Sequence, residues 1–242
     1  MILILCHPGD AAALWLAETM RDLGAAGVEA VTVEELVYSR RIVYRLSNAG
    51  SSGPIVLADG RTLRPEMITG LVNRVSYPPT RHFERAQTAD RAYAEAELNA
   101  FLLAWLNDVA GRVVNPPLPM ALGGATFPLP ALLHHAAMAG LPVEPFRASA
   151  SDGADAIAPL PATHTAIVFD SRLFGTLLPT PLQEGCRRLA ALTGAPLLQI
   201  AFNHSRARGF RFVNASGSVD FHIGGKPLAR ALTGAFVRSA AA

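Results

Sequence analysis

A chain of 242 residues is long enough to bury a core of its own, as one large domain or two small ones, without disulfide staples. Half of its residues are apolar, 17% are charged and the net charge is +2, a balance too even to call for a nucleic-acid or membrane-surface partner. Positive charge comes almost wholly from arginine, since Lys226 is the single lysine among 21 basic residues. This matters at any anion site, because a planar guanidinium and a compact ammonium are not interchangeable there. Cys6 and Cys186 lie far apart, without CxxC spacing, and are expected as buried free thiols. The opening MILILCHPGD lacks a basic start, and its apolar run is far shorter than the ~18 residues of a membrane span, so the expected location is cytoplasmic.

Along the chain, the apolar run from Ile2 to Leu5, the turn His7-Pro8-Gly9-Asp10 and the amphipathic stretch from Ala11 to Leu23 predict strand, turn and helix, with Gly24 as the stop. A second strand over Val28–Val33 completes a βαβ unit and predicts a parallel sheet. Two short strands, Tyr44–Leu46 and Ile55–Leu57, flank a polar Ser/Asn/Gly loop, and Asp59-Gly60 marks a hairpin turn. The strand Gly70–Arg74 precedes the clearest helix, Asp90–Ala110, whose Leu98, Phe101, Leu102, Trp105 and Val109 share one face. Arg112–Asn115 is a strand closed by prolines.

The natural domain split lies between residues 117 and 128. A helix over 129–139, an extended Leu141–Pro145 and a Ser/Ala/Asp/Gly/Pro loop over 149–161 come next. The remainder is predicted as a hairpin over 165–175, a helix over Pro181–Thr193, strands Leu197–Asn203 and Phe210–Asn214, and a last helix over Pro227–Val237.

Several constellations invite chemical readings. His7-Pro8-Gly9-Asp10 is similar to the His-Pro-Asp-Asp-Glu motif of zinc-dependent deacetylases, but Gly9 and Ala11 leave it without base or carboxylate ligand, so Asp10 is better explained as a helix cap. His134 and His135 are adjacent and point about 100° apart on a helix, unlike an i, i+4 pair. No Gly-x-Ser-x-Gly turn supports a serine nucleophile. The strongest polar pair is Asn73 with Arg74, at the end of a parallel strand, where a guanidinium could clamp a carboxylate or phosphate. Tyr93 and Glu97, one turn apart on the long helix, and Asn115, ending a neighbouring strand, are candidates for the same crevice, with Glu97 expected to hold Arg74. The competing reading is an Arg-Glu pair that only closes the first domain.

Three segments together resemble the ATP-grasp family. They are Ile68–Arg74 with the Tyr93-bearing helix and Val113–Pro117; His134–Pro145, with its Gly-Leu-Pro-Val; and the helix, strand, turn, strand pattern from Leu189 to Gly225, where Phe212-Val213-Asn214 stands at the family's Glu-x-Asn. The resemblance implies an α/β chain with a Rossmann-like pre-ATP-grasp domain over 1–120 and a reduced α+β ATP-grasp-like domain, with an antiparallel sheet, over 121–242. In that family lysines grip the nucleotide phosphates, and an Asp, a Glu and an Asn bridge magnesium. Here Lys226 lies outside either lysine position, Phe212 replaces the Glu, the upstream Asp is lost within Gln199–Phe202, and Asn214 alone remains. These losses, with a shortened nucleotide-covering segment, lead to the expectation of a non-catalytic partner or scaffold subunit, a homodimer or hetero-complex with a biosynthetic enzyme, needing no cofactor. The alternatives are an ATP-dependent carboxylate–amine ligase acting on an amino acid or peptide, with ATP and magnesium and with arginines in place of lysines, and a small-molecule binding module.

Overall fold

The structure, a computed structural model, describes residues 1–48, 50–119, 121–146 and 160–240. The loop expected over 149–161 falls almost wholly outside them. Two compact units form: residues 1–125 with 226–242, and residues 126–225.

In the first unit, β1 (Ile2–Cys6) leads through the turn at Gly9 into α1 (Ala11–Asp22), then β2 (Val28–Thr32) and α2 (Val33–Val37). An excursion of short strands follows: β3 (Arg41–Ile42), β4 (Arg45–Ser47), β5 (Gly50–Ser52), β6 (Ile55–Val56) and β7 (Thr62–Leu63). The chain then enters β8 (Gly70–Asn73), α3 (Thr88–Asn107) and β9 (Arg112–Val114). Strands β2, β1, β8 and β9 form a parallel sheet in that order, aligned at Ile2 with Val28 and Gly70, and at Gly70 with Arg112. Continuous apolar runs suit these strands because both faces are covered: β1 is buried at all five residues. The expected polar loop after β4 is instead the β4–β5 hairpin, pairing Arg45 with Ser52.

Trp105 and Leu106 on α3 pack with Leu3, Leu5 and Leu71 of the sheet and with Ile55 and Leu63 of the excursion. Each such side chain contributes about 1.5–3 kcal/mol by leaving water. Trp105 also donates its Nε1–H to the Gly53 carbonyl at 2.7 Å, which fixes the excursion onto the helix without leaving a buried donor unpaired.

In the second unit, α4 (Leu129–Met138) precedes β10 (His164–Phe169), β11 (Arg172–Gly175), α5 (Thr180–Thr193), β12 (Leu197–Ser205) and β13 (Gly209–Ser216). The sheet is antiparallel, in the order β11, β10, β12, β13. Asp170 and Ser171 turn the first hairpin with φ of 48° and 60°, the conformation of a tight two-residue turn. Leu132, Cys186 and Leu189 from the two helices pack on Val168, Ile200, Phe202 and Phe212. Leu141–Pro145 runs beside β13, where the Phe212 amide donates to the Pro142 carbonyl at 2.7 Å.

The last helix, α6 (Phe221–Ala240), is two helices meeting at Gly225, whose φ of 59° and ψ of −162° only glycine adopts without strain. Beyond that kink its residues belong to the first unit, and Phe236 lies against Gly70 of β8 so tightly that a Cβ there would overlap the ring. No helix among the described residues is long and apolar enough to cross a membrane.

Candidate functional site

The carboxyl ends of parallel strands are where an open α/β sheet presents its ligand crevice. Here β1 and β8 run side by side, with Leu5 opposite Asn73 and the Arg74 amide donating to the Leu5 carbonyl at 2.9 Å. That register brings Asp10, four residues beyond β1, against Arg74. The Arg74 guanidinium donates from Nε to Asp10 Oδ2 at 2.6 Å and from Nη2 to Oδ1 at 3.0 Å, with side-chain exposures of only 9% and 15%. Asp10 Oδ1 also accepts the Ala13 amide at 3.0 Å, so one carboxylate caps α1 and neutralises Arg74. Burial acts to raise the Asp10 pKa, but the Arg74 hydrogen bond, the Ala13 amide and the Arg74 charge together outweigh it and hold the carboxyl below its ordinary value.

Around this pair, His7 Nε2 accepts the Ser76 amide at 3.1 Å, and its ring stacks on Tyr77 with centroids 4.3 Å apart. Asn73 is fully buried and saturated: Nδ2 donates to the carbonyls of Asn115 and Leu122 at 3.1 and 2.6 Å, and Oδ1 accepts the Val75 amide at 3.2 Å. Asn115 is buried with φ of 58°, a conformation Asn tolerates better than most residues. Asn73, Arg74 and Asn115 thus gather at the strand ends. Tyr93 and Glu97 are exposed on α3, and Glu97 is not the partner of Arg74; that expectation is corrected to Asp10. Ser76 and Tyr77 carried no sequence signal beyond their nearness to a strand end, and His7 stood out only through its likeness to the deacetylase motif.

Asn214 lies in the second unit, exposed on β13. Its strand contains a bulge: Ala201 pairs with Asn214 but Phe202 pairs with Phe212, leaving Val213 as the extra residue. Opposed residues share a face and successive residues alternate, so Asn214 stands with Ala201 on one face while Phe212 turns with Phe202 into the core on the other. Phe212 is therefore not a substituted ligand beside Asn214; its side chain is 2% exposed and packs on the helices.

Magnesium does not fit the described residues. Around Asn214 the register places Gln199, Ser216, Thr165, Asn203 and Arg211 on the same face, none of them acidic, and Gln199 Oε1 accepts the Asp220 amide at 2.8 Å. Asp220 itself pairs with His222 Nδ1 at 2.7 Å. No group of three or more His, Cys, Asp or Glu able to hold a metal occurs among the described residues. In this unit Arg211 and Arg208 lie 3.2 and 3.8 Å from Glu144 Oε1.

No protein-family model matches the chain, and no curated protein matches its sequence. Solved structures do share its fold. The macrocyclase MdnB from Microcystis aeruginosa MRC matches with a TM-score of 0.69 at 14% identity, covering 98% of each chain. The ATP-grasp ligase PsnB, in complex with a minimal precursor, Mg and ADP, gives 0.69 at 16% identity over 97% of each chain. A RiPP-associated ATP-grasp ligase from Chryseobacterium gregarium, in complex with ADP and a leader and core peptide, gives 0.67 at 11%, covering 99% of this chain and 96% of that one. The fold is ATP-grasp-like over nearly the whole chain, as the three resembling segments implied. The expectation of a non-catalytic partner or scaffold is corrected by the same finding: the proteins sharing this fold are named as ligases and a macrocyclase, which favours the ligase alternative.

Proposed function

We propose that this chain is an ATP-dependent carboxylate–amine ligase acting on a peptide. The observation that carries the reading is the whole-chain likeness to ATP-grasp ligases, two of which were solved with peptide and ADP. In the reaction, a substrate carboxylate oxygen attacks the γ-phosphorus of ATP and ADP departs. An amine nitrogen then attacks the acyl carbon, phosphate leaves and the amine proton is released. Arg208 and Arg211 are assigned to the phosphate oxygens, exchanging their contact with Glu144 for the more highly charged ligand. These guanidiniums supply positive charge at the phosphates. In this reading the unit of residues 1–125 and 226–242 acts as the pre-ATP-grasp domain expected over 1–120, contributing Asn73, Arg74 and Asn115, with Tyr93 and Glu97 on the exposed side of α3. Residues 126–225, within the 121–242 expected, act as the catalytic domain, with Asn214 beside the nucleotide.

The test is to incubate the full chain with ATP, magnesium chloride and a peptide bearing Glu and Lys side chains, following ADP release and the peptide mass. ADP formation that depends on the peptide, with loss of one water from its mass, is expected. No ADP above the enzyme-free rate across a panel of acidic and lysine-bearing peptides would overturn the reading.

A further inference from the structure

The excursion β3–β7 has two unlike faces. Its inner face, with Ile55 and Leu63, is buried in the core of the first unit. Its outer face follows from the register: Arg41 opposes Val56, which opposes Thr62, and the next row aligns Val43, Pro54 and Arg64. Continuing the alternation past Val43 adds Arg45, so three guanidiniums ring an apolar floor of Val43, Pro54 and Val56 around a cavity of about 300 Å³.

The charge on this face is unbalanced. Next to it, Arg61 is matched by Asp59, Glu29 and Glu35 at 2.6, 2.9 and 3.3 Å. By contrast, among the described residues Arg64 has only Glu66 at 3.9 Å, and Arg41 and Arg45 have no acidic group within salt-bridge distance. Three like charges held over apolar side chains repel one another through a medium of reduced dielectric, and an anion relieves that repulsion. Guanidinium forks are suited to carboxylates, which they bind through two parallel hydrogen bonds.

The spacing selects the kind of anion. Arg41 and Arg45 stand four residues apart on a chain running from β3 towards β4, a span of up to about 13 Å, which one phosphate group cannot bridge. An extended peptide repeats its same-side groups every ~6.6 Å and so offers carboxylates at two-residue intervals along that span. Strand β3 is also an edge of its three-stranded sheet, the position to which an extended peptide adds. We propose that this groove is a binding site for an extended acidic peptide segment with carboxylates at alternate positions. It stands independently of the reaction proposed above, because it rests on the first unit alone and needs no nucleotide.

The experiment is fluorescence anisotropy of the full chain with a fluorescein-labelled Glu-Ser-Glu-Ser-Glu-Ser peptide and no ATP, against a Gln-Ser repeat, inorganic pyrophosphate and a 12-mer RNA as competitors. Binding of the Glu repeat is expected to weaken about tenfold in Arg41→Gln/Arg45→Gln, and comparably in Arg64→Gln. The surface control Arg85→Gln/Arg206→Gln should retain wild-type affinity, and melting curves should show all variants folded. Equal affinity for the Glu repeat in wild type and both groove variants would overturn the site. Tighter binding of pyrophosphate or RNA than of the peptide would overturn the peptide assignment.

Discussion

Arg74 holds Asp10 through two hydrogen bonds from the neighbouring strand, and the same carboxylate caps the helix that follows. One side chain therefore joins the sheet to α1. Removing either partner leaves the other charged and largely buried without this two-fold contact, so Arg74→Ala and Asp10→Ala should each cost about 3 kcal/mol in urea unfolding. The double variant should cost well below the sum, because it strands no charge. Additive losses would show that the pair is not coupled.

The depressed Asp10 pKa gives this contribution a pH dependence of definite sign. The folded-state value lies below the ordinary ~3.9, so the stabilisation is complete above about pH 5 and disappears as pH falls through the folded-state value. Asp10→Asn should be less stable at neutral pH and should lose less on acidification from pH 5 to 3. Parallel stability curves for the two proteins would contradict this.

Gly70 lies beneath the Phe236 ring with no room for a methyl group. Gly70→Ala should cost about 2–3 kcal/mol by overpacking, and Phe236→Leu in the same chain should recover part of that loss. If Gly70→Ala melts like wild type, the helix does not rest on β8.

Burial pushes the Cys6 thiol up to about 11, with Asp10 adding to it, and burial pushes Cys186 up to about 12. A thiol reagent at pH 8 should therefore find neither cysteine in the folded protein and both in denaturant. Rapid native labelling of either would show that its unit opens.

Glu144 competes with nucleotide for Arg208 and Arg211 under the ligase reading. Because these pairs are partly exposed, Glu144→Gln should raise ATP affinity only modestly, about threefold, as read by titration calorimetry. A weakened affinity would mean that the carboxylate supports the site instead.

Much of the architecture could be read from the chain because its periodicities are local. The apolar run at Ile2–Leu5, the glycine after α1 and the helical stripe through Leu102 and Trp105 each predict an element from neighbours in sequence. What could not be read depends on register. Arg74 could be placed at a strand end, but its partner follows from how β1 and β8 align, and only that alignment selects Asp10 over Glu97. The bulge at Val213 is similar: the spacing Phe212-x-Asn214 suggests a common face, and one unpaired residue separates them. The arginine groove required the pairing of three short strands whose members are scattered between residues 41 and 64.

The kink at Gly225 has a consequence for the order in which the protein is made. Residues 226–242 belong with the unit that contains β1 and β8, so the core of that unit cannot be completed until the helix beyond the kink has been synthesised. Residues 126–225 form a contiguous unit and can close while synthesis is still under way. During that interval the surface of β8 at Gly70 lacks its Phe236 cover, so the parallel sheet leaves apolar surface open to water while the antiparallel one can already close.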